Sequence, residues 1–305
     1  MNKKSAPLKI WLILTLVFFI TESVFYFSKT SLDIKYGQIQ RVYKKKQATL
    51  TVNYLKKNFN PDKKTFKVVV IGSSLSALGV NCNERLYFKE KFHKDIEIFK
   101  VFSYGYRDNL KFLTRELQFF DLLANLKPDM VIFENDLLAF DLINKETEFK
   151  TYDLPALNKF IFQTLRNILL YLKKTNDYTY EPCNPLEPEV IKPLHYKINP
   201  RRIKTFEEIA FLHPYLNILN KSGTKLIFLD LPRPKIVEKE IHSGEQEKEF
   251  QKLLAKYTKS FNISYWKYTR PLSFIYFIDH GHLNKQGRDI FSDWLIEKIA
   301  KETEK

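Results

Sequence analysis

The sequence predicts an α/β protein built on a parallel five-stranded sheet, and three observations carry that expectation. From residue 67 onward, short apolar runs of strand length recur. Helical periodicities fall between them. The first run, Lys67-Val68-Val69-Val70-Ile71, is continuously apolar rather than alternating, as in strands buried on both faces by helical crossovers. Strands alternating with helices mean helix layers on both sides of the sheet.

The elements follow in order. Four further strands are expected at Ile96–Phe102, Met130–Phe133, Lys225–Leu231 and Ile263–Trp266. Leu110, Leu113, Leu117, Phe120 and Ala124 fall at alternating steps of three and four, which predicts one helix with Asp108 as its N-cap. Gly287–Ala300 carries Ile290, Phe291, Trp294, Leu295 and Ile299 on one face and forms the last helix. Between Phe140 and Phe206 the alternation stops. Pro155–Lys174 has an amphipathic helical pattern, and a loop rich in proline follows through Cys183, Pro185, Pro188 and Pro193. This insertion, residues 141–205, is long enough for a lid or substrate-binding cap, and a packed surface excursion fits it equally.

Composition excludes several classes. Of 305 residues, 44% are apolar, with 26 Phe and 17 Tyr, which excludes global disorder. Two cysteines, Cys82 and Cys183, exclude a disulfide scaffold and Cys-rich zinc sites; they form one bridge or stay thiols. Fifty Lys and Arg against 35 Asp and Glu give a charge of +15. The lysines are spread from Lys3 to Lys305, without a recognition helix, zinc finger or RNA-binding signature, so no nucleic acid is expected as partner. An anionic lipid surface or cell-wall polymer is the better match for the charge.

At the amino terminus, a basic stretch over residues 1–7 precedes an apolar segment, Leu8 to Phe27, of 20 residues, which is the length of a bilayer-spanning helix. Thr21-Glu22-Ser23 followed by Val-Phe-Tyr makes a poor cleavage site. Residues 8–28 are therefore expected to be an uncleaved signal anchor: a single-pass protein of the cell membrane with an extracytoplasmic domain. Lys29, Lys35, Arg41 and Lys44-Lys45-Lys46 after the span run against that orientation by the positive-inside rule. Residues 29–65 read as a basic stalk, partly helical, that leads into the α/β domain at 66–302.

Two segments carry chemistry. The first strand ends in Gly72-Ser73-Ser74-Leu75-Ser76. Ligands of open α/β sheets sit at the carboxyl ends of strands, and the glycine permits a tight turn into a helix that Ser74 would open. Phosphate-loop and dinucleotide glycine patterns are missing, and Ser76 stands where a G-x-S-x-G elbow has its last glycine. The plain alternative is an N-cap. The second segment is Asp279-His280-Gly281-His282-Leu283-Asn284-Lys285-Gln286-Gly287. A serine hydroxyl needs a base, imidazole is the usual one, and a carboxylate must fix its tautomer. Asp279 and His282, three apart, can pair. His280 and His282 could instead hold a metal, but no third ligand of matching spacing accompanies them.

Together these blocks resemble those of the SGNH/GDSL hydrolase superfamily. Gly72-Ser73-Ser74-Leu75 matches its first block in the Gly-Ser-Ser variant. Asp279-x-x-His282 followed by Leu283 and Gly287 matches its last. The resemblance covers residues 66–302. It implies a flavodoxin-like three-layer α/β/α SGNH hydrolase fold and a catalytic set of Ser74, His282 and Asp279, with no cofactor and no metal. It also implies an oxyanion hole from the Ser74 N–H, the Gly105 N–H and the Asn135 side chain. The third block, usually Gly-x-Asn-Asp, reads Phe133-Glu134-Asn135-Asp136 here, with Phe in place of Gly. The architecture looks like that of membrane-anchored envelope proteins that move D-alanyl groups onto teichoic acid or acetyl groups onto alginate. An ester hydrolase or O-acyltransferase acting on acyl esters of envelope polymers or lipids is the resulting expectation. A catalytically silent SGNH-like envelope or binding protein is the alternative, motivated by the altered third block. A nucleotide or nucleic-acid binder on such a sheet comes third.

Overall fold

A computed structural model describes residues 15–16, 45–46, 48–61, 65–80, 95–102, 109–115, 117–142, 201–241, 244–279 and 281–304. The chain divides into two compact units, Met1–Tyr43 with Phe149–Tyr178, and Lys44–Glu148 with Thr179–Lys305. Apart from Thr15 and Leu16 the first lies outside the described residues, and the strands and helices of the sheet all belong to the second. The expected anchor at 8–28 (those two residues excepted), the helix at Pro155–Lys174, and Cys82, Cys183, Gly105, Asp108 and His280 also lie outside them. Among the described residues no helix is long and apolar enough to cross a membrane.

Seven strands occur among the described residues: β1 Phe66–Gly72, β2 Ile96–Phe102, β3 Met130–Glu134, β4 Phe140–Leu142, β5 Arg201–Ile203, β6 Lys225–Asp230 and β7 Ser264–Lys267. Five of them form one sheet in the order β2-β1-β3-β6-β7, and every pairing is parallel. The order reverses between β1 and β3. In doubly wound sheets that reversal opens a crevice at the carboxyl edge, where ligands bind.

Residues along each strand alternate between two cores, as the period of two requires. Val69, Ile71, Val101, Val131, Phe133 and Phe228 face one side. There the helix over residues 48–58 and the helices Phe119–Leu126, His213–Lys221 and Gly244–Phe261 cover them through Leu55, Phe120, Leu219 and Tyr257. Val68, Val70, Ile132, Ile227 and Leu229 face the other side, under Phe291, Leu295 and Ile299 of the helix Lys285–Glu302. Each such side chain, fully buried, contributes roughly 1.5–3 kcal/mol.

Three regions differ from the sequence expectation. The single helix over Leu110–Ala124 is two, Asn109–Arg115 and Phe119–Leu126. Gln118 between them sits at φ 46, a left-handed conformation that cannot continue a helix. The apolar period persists across the break, which hid it. The stalk expected over 29–65 is, at residues 48–59, part of the core: Ala48, Val52, Leu55 and Phe59 are buried. Their spacing is helical and apolar, but lysines stand before and after it, as in an exposed basic stalk. Finally, the ends of the insertion pair as an antiparallel ribbon, Phe140 opposite Ile203 and Leu142 opposite Arg201. Lys204 donates its backbone N–H to Ala139 O at 2.8 Å and its Nζ to Leu137 O at 2.8 Å. The insertion thus leaves and rejoins the domain beside the short helix Asn135–Ala139, directly after β3.

Candidate active site

The turn after β1 is built around a glycine and three serines. A Cβ on Gly72 would lie 2.3 Å from the Ser76 side chain and 2.8 Å from Glu134 Oε2, so no other residue fits without displacing them. Ser73, in extended conformation at φ −103, caps the helix Ser74–Gly79: its Oγ accepts from Leu75 N at 3.1 Å. The capping role of the Gly-Ser-Ser run therefore falls to Ser73. Ser74 opens the helix, half-buried, with its hydroxyl directed elsewhere.

Its partner comes from the loop before the last helix. That loop is closed by a bridge between Phe277 and Leu283, with Ile278 N donating to His282 O at 2.8 Å and Asn284 N to Tyr276 O at 3.0 Å. Asn284 then caps the helix, its Oδ1 accepting from Gly287 N at 3.0 Å. Gly287 lets the helix start close over the loop; a Cβ there would meet the Tyr276 carbonyl at 2.3 Å. Inside the loop, Asp279 Oδ1 accepts from the backbone N–H groups of Gly281 and His282, each at 2.9 Å.

Asp279 also faces His282 Nδ1, at 2.9 Å from Oδ1 and 2.8 Å from Oδ2. The other ring nitrogen, Nε2, lies 2.8 Å from Ser74 Oγ. With the proton on Nδ1 shared with the carboxylate, Nε2 is left as an acceptor for the serine hydroxyl. Burial pushes the Asp279 carboxyl up. The hydrogen bond and charge of the His282 ring, with the two backbone donors, outweigh it and hold the group well below the usual carboxylate range. The pair is half-buried, with side-chain exposures of 24% for His282 and 20% for Asp279.

Four consecutive residues, Phe133 to Asp136 at and just after the end of β3, complete the edge. Phe133, which stands where the resembling block has glycine, belongs to the core: its ring stacks on Phe120 at 6.3 Å and meets Phe228 edge-on at 6.3 Å. Glu134 is fully buried under the β1 turn. Its Oε2 accepts from Ser73 N at 2.8 Å, Ser76 N at 3.1 Å and Ser76 Oγ at 2.6 Å, and its Oε1 accepts from Ser73 Oγ at 2.5 Å. Burial, then the Asp136 charge, push its carboxyl up, against the pull of the serine donors. Asn135 is 1% exposed, and among the described residues neither its Nδ2 nor its Oδ1 has a hydrogen-bond partner. Leaving such a group unpaired costs about 1–3 kcal/mol. Asp136 holds Arg233 at 2.5 Å, and Arg233 reaches Asp230 at 3.5 Å, both acids and the guanidinium being buried. Tyr265 donates to Asp230 at 2.7 Å; burial first, then the Asp230 charge and this bond, push the phenol above its usual range.

The structure thus brings Ser74, His282 and Asp279 into one hydrogen-bonded chain across 208 residues of sequence, with Asn135 following the carboxylate that holds the turn of Ser74. Gly105 falls outside the described residues. Sequence reasoning passed over Glu134 and Arg233. The one signal for Glu134 was a charge terminating the run Met-Val-Ile-Phe. Among the described residues no group of three or more His, Cys, Asp or Glu could hold a metal ion. A cavity of about 370 Å³ opens at the opposite, amino edge of the sheet, by Phe59, Phe66, Lys67 and Asp129.

No family model matches the chain, and no curated protein matches it. Among solved structures, the chain is similar to a protein from Streptococcus pneumonia described as a platelet activating factor. The identity is 13% and the TM-score 0.31, over 91% of this chain and 98% of that one. It is also similar to the periplasmic domain of a lipopolysaccharide acetyltransferase from Salmonella ser. Paratyphi A. There the identity is 13% and the TM-score 0.36, over 87% of this chain and 99% of that one.

Proposed function

We propose that this chain is a serine-dependent enzyme of acyl esters, an ester hydrolase or O-acyltransferase of the SGNH/GDSL type. We propose further that residues 8–28 hold it at the membrane, with its α/β domain outside the cytoplasm. The observation that carries the reading is the chain from Ser74 Oγ through His282 to Asp279, each link at 2.8–2.9 Å, at the carboxyl edge beside the β1/β3 reversal.

In this reading Ser74 Oγ attacks the ester carbonyl while its proton passes to His282 Nε2. Asp279 keeps the ring oriented and balances the imidazolium. The oxyanion takes hydrogen bonds from the Ser74 N–H, the Asn135 amide and the Gly105 N–H; one such donor is worth about 10²–10³ in rate. The unpaired Asn135 amide supports its part in this. The imidazolium returns its proton to the departing alcohol, leaving an acyl-serine. Water or a second alcohol, deprotonated by His282, then attacks the acyl carbon; the acyl–Oγ bond breaks, His282 returns the proton to Ser74 Oγ, and the acyl group leaves as acid or as a new ester. Acyl esters of an anionic envelope polymer or lipid suit the +15 charge.

Labelling with a fluorophosphonate and turnover of short p-nitrophenyl esters test the chemistry. Wild type is expected to show both, and Ser74→Ala neither. Label on Ser73 would move the nucleophile by one residue, and an inert wild type would favour the silent binding protein. Carbonate extraction tests the anchor: full-length protein is expected to stay with membranes.

A further inference from the structure

We infer that Glu134 is the positioning residue of the nucleophile, a buried carboxylate that sets the geometry of Ser74 by clamping the serines on either side of it. The inference rests on the proposed serine chemistry. Ser74 makes its one described side-chain hydrogen bond to His282 and has none to Glu134, yet both of its serine neighbours are tied to that single group.

The four bonds come from two residues that flank the nucleophile, at one step before it and two steps after. Ser73 gives its N–H and its hydroxyl, and Ser76 gives its N–H and its hydroxyl. The carboxylate therefore fixes the backbone entering and leaving Ser74, and with it the direction of the Cα–Cβ bond. Ser73 relays the constraint one link further, because the same Oγ that donates to Glu134 accepts from Leu75 N. A helix of only six residues, Ser74–Gly79, has little stiffness of its own to do this. The contacts span 58 and 61 residues of sequence, so the turn is not self-sufficient; it is held from below by the neighbouring strand.

Chemistry favours this use over a merely cohesive one. A fully buried carboxylate is costly, and an apolar side chain at the end of β3 would pack without that penalty. What an apolar residue could not do is gather four donors from both sides of one serine. Gly72 points the same way: the space that a Cβ would fill is taken by the Ser76 side chain and Glu134 Oε2. The glycine, both flanking serines and the glutamate form one unit, and Asn135 follows directly on the chain.

The experiment compares wild type with Glu134→Gln, Ser73→Ala, their combination Glu134→Gln/Ser73→Ala, and the double variant Ser73→Ala/Ser76→Ala. It reads fluorophosphonate labelling rate, kcat and KM on a short p-nitrophenyl ester, and far-ultraviolet circular dichroism at the assay temperature. A displacement of the nucleophile of about 1 Å lowers reaction rates about 10²-fold. Glu134→Gln is therefore expected to lose about 10²-fold in labelling rate and kcat while KM stays within about threefold, since bound substrate is not touched. Should Glu134→Gln fail to fold, the double serine variant keeps the carboxylate and is expected to show the same split. Losses in Glu134→Gln and Ser73→Ala should combine to less than their product, because both act through one turn. Folded variants labelling as fast as wild type would overturn the clamp alone. A wild type that takes no label would instead refute the serine reading on which the clamp rests.

Discussion

The two halves of the site are held in opposite ways. The turn that carries Ser74 is buried and is tied to β3 by four hydrogen bonds spanning about sixty residues of sequence. The loop that carries Asp279 and His282 is half-exposed and holds itself. Its carboxylate takes two N–H groups and a ring nitrogen from residues two and three positions away. The proposed nucleophile is thus placed by tertiary structure, and the proposed base by local structure. Errors in the first should spread through the fold. Errors in the second should stay in the chemistry.

The largest expected effects test that contrast on the loop side. His282→Ala is expected to lower kcat by about 10⁶-fold, and Asp279→Asn by about 10⁴-fold, with little change in melting temperature. In Asp279→Asn the amide can no longer fix the Nδ1–H tautomer, so Nε2 no longer accepts the serine proton. Steady-state kinetics beside thermal melts decide it. A collapse of the fold in His282→Ala would show that the loop, too, is held by long-range contacts.

The same contrast explains what the sequence makes legible. Asp279 and His282 can be paired by eye because their contact needs only a spacing of three. The five strands of the sheet are equally legible, since continuous apolar runs such as Val68–Ile71 mark burial on both faces. Ser74 is singled out by Gly72 and the strand end. Glu134 is not, because its meaning lies in serines about sixty positions upstream. Phe133 looks like damage to a glycine-containing block, and only the alternation of β3 reveals that its ring joins the core with Phe120. The burial of the helix at 48–58 is illegible for a different reason: its apolar residues are few and set among lysines, and burial is decided by what they dock against.

Of intermediate size is a pair of glycine substitutions, one from each half. In Gly72→Ala the new methyl meets a clamped side chain and a buried carboxylate that cannot yield without breaking the turn. In Gly287→Ala it meets the Tyr276 carbonyl, whose neighbour Ile275 is exposed, so less is packed around it than around the β1 turn. Overpacking of this kind costs about 1–3 kcal/mol. Gly72→Ala is expected near the upper end, about 3 kcal/mol, and Gly287→Ala near about 1 kcal/mol. Chemical denaturation of both variants measures this, and the reverse ranking would break the comparison.

The smallest effect is the sharpest in sign, because the carboxylates of the two halves are shifted in opposite directions. Asp279 is held below its ordinary value of 3.8, so it stabilises the folded state above that pH. This contribution is lost as acid protonates it. The gap in melting temperature between wild type and Asp279→Asn should therefore close as pH falls below about 3.8. Partial exposure keeps the gap modest. Glu134 is pushed above its ordinary value of 4.5, first by burial and then by Asp136. Between 4.5 and its folded value the native state holds the proton more tightly than the unfolded chain, so stability falls as pH rises through that window. Glu134→Gln carries no such proton and should gain on wild type across it. Melting curves of the three proteins from acid to neutral pH give the slopes directly. Equal slopes for wild type and Glu134→Gln would mean that the clamp's carboxylate titrates as though exposed, and the division between a buried turn and a half-open loop would not stand.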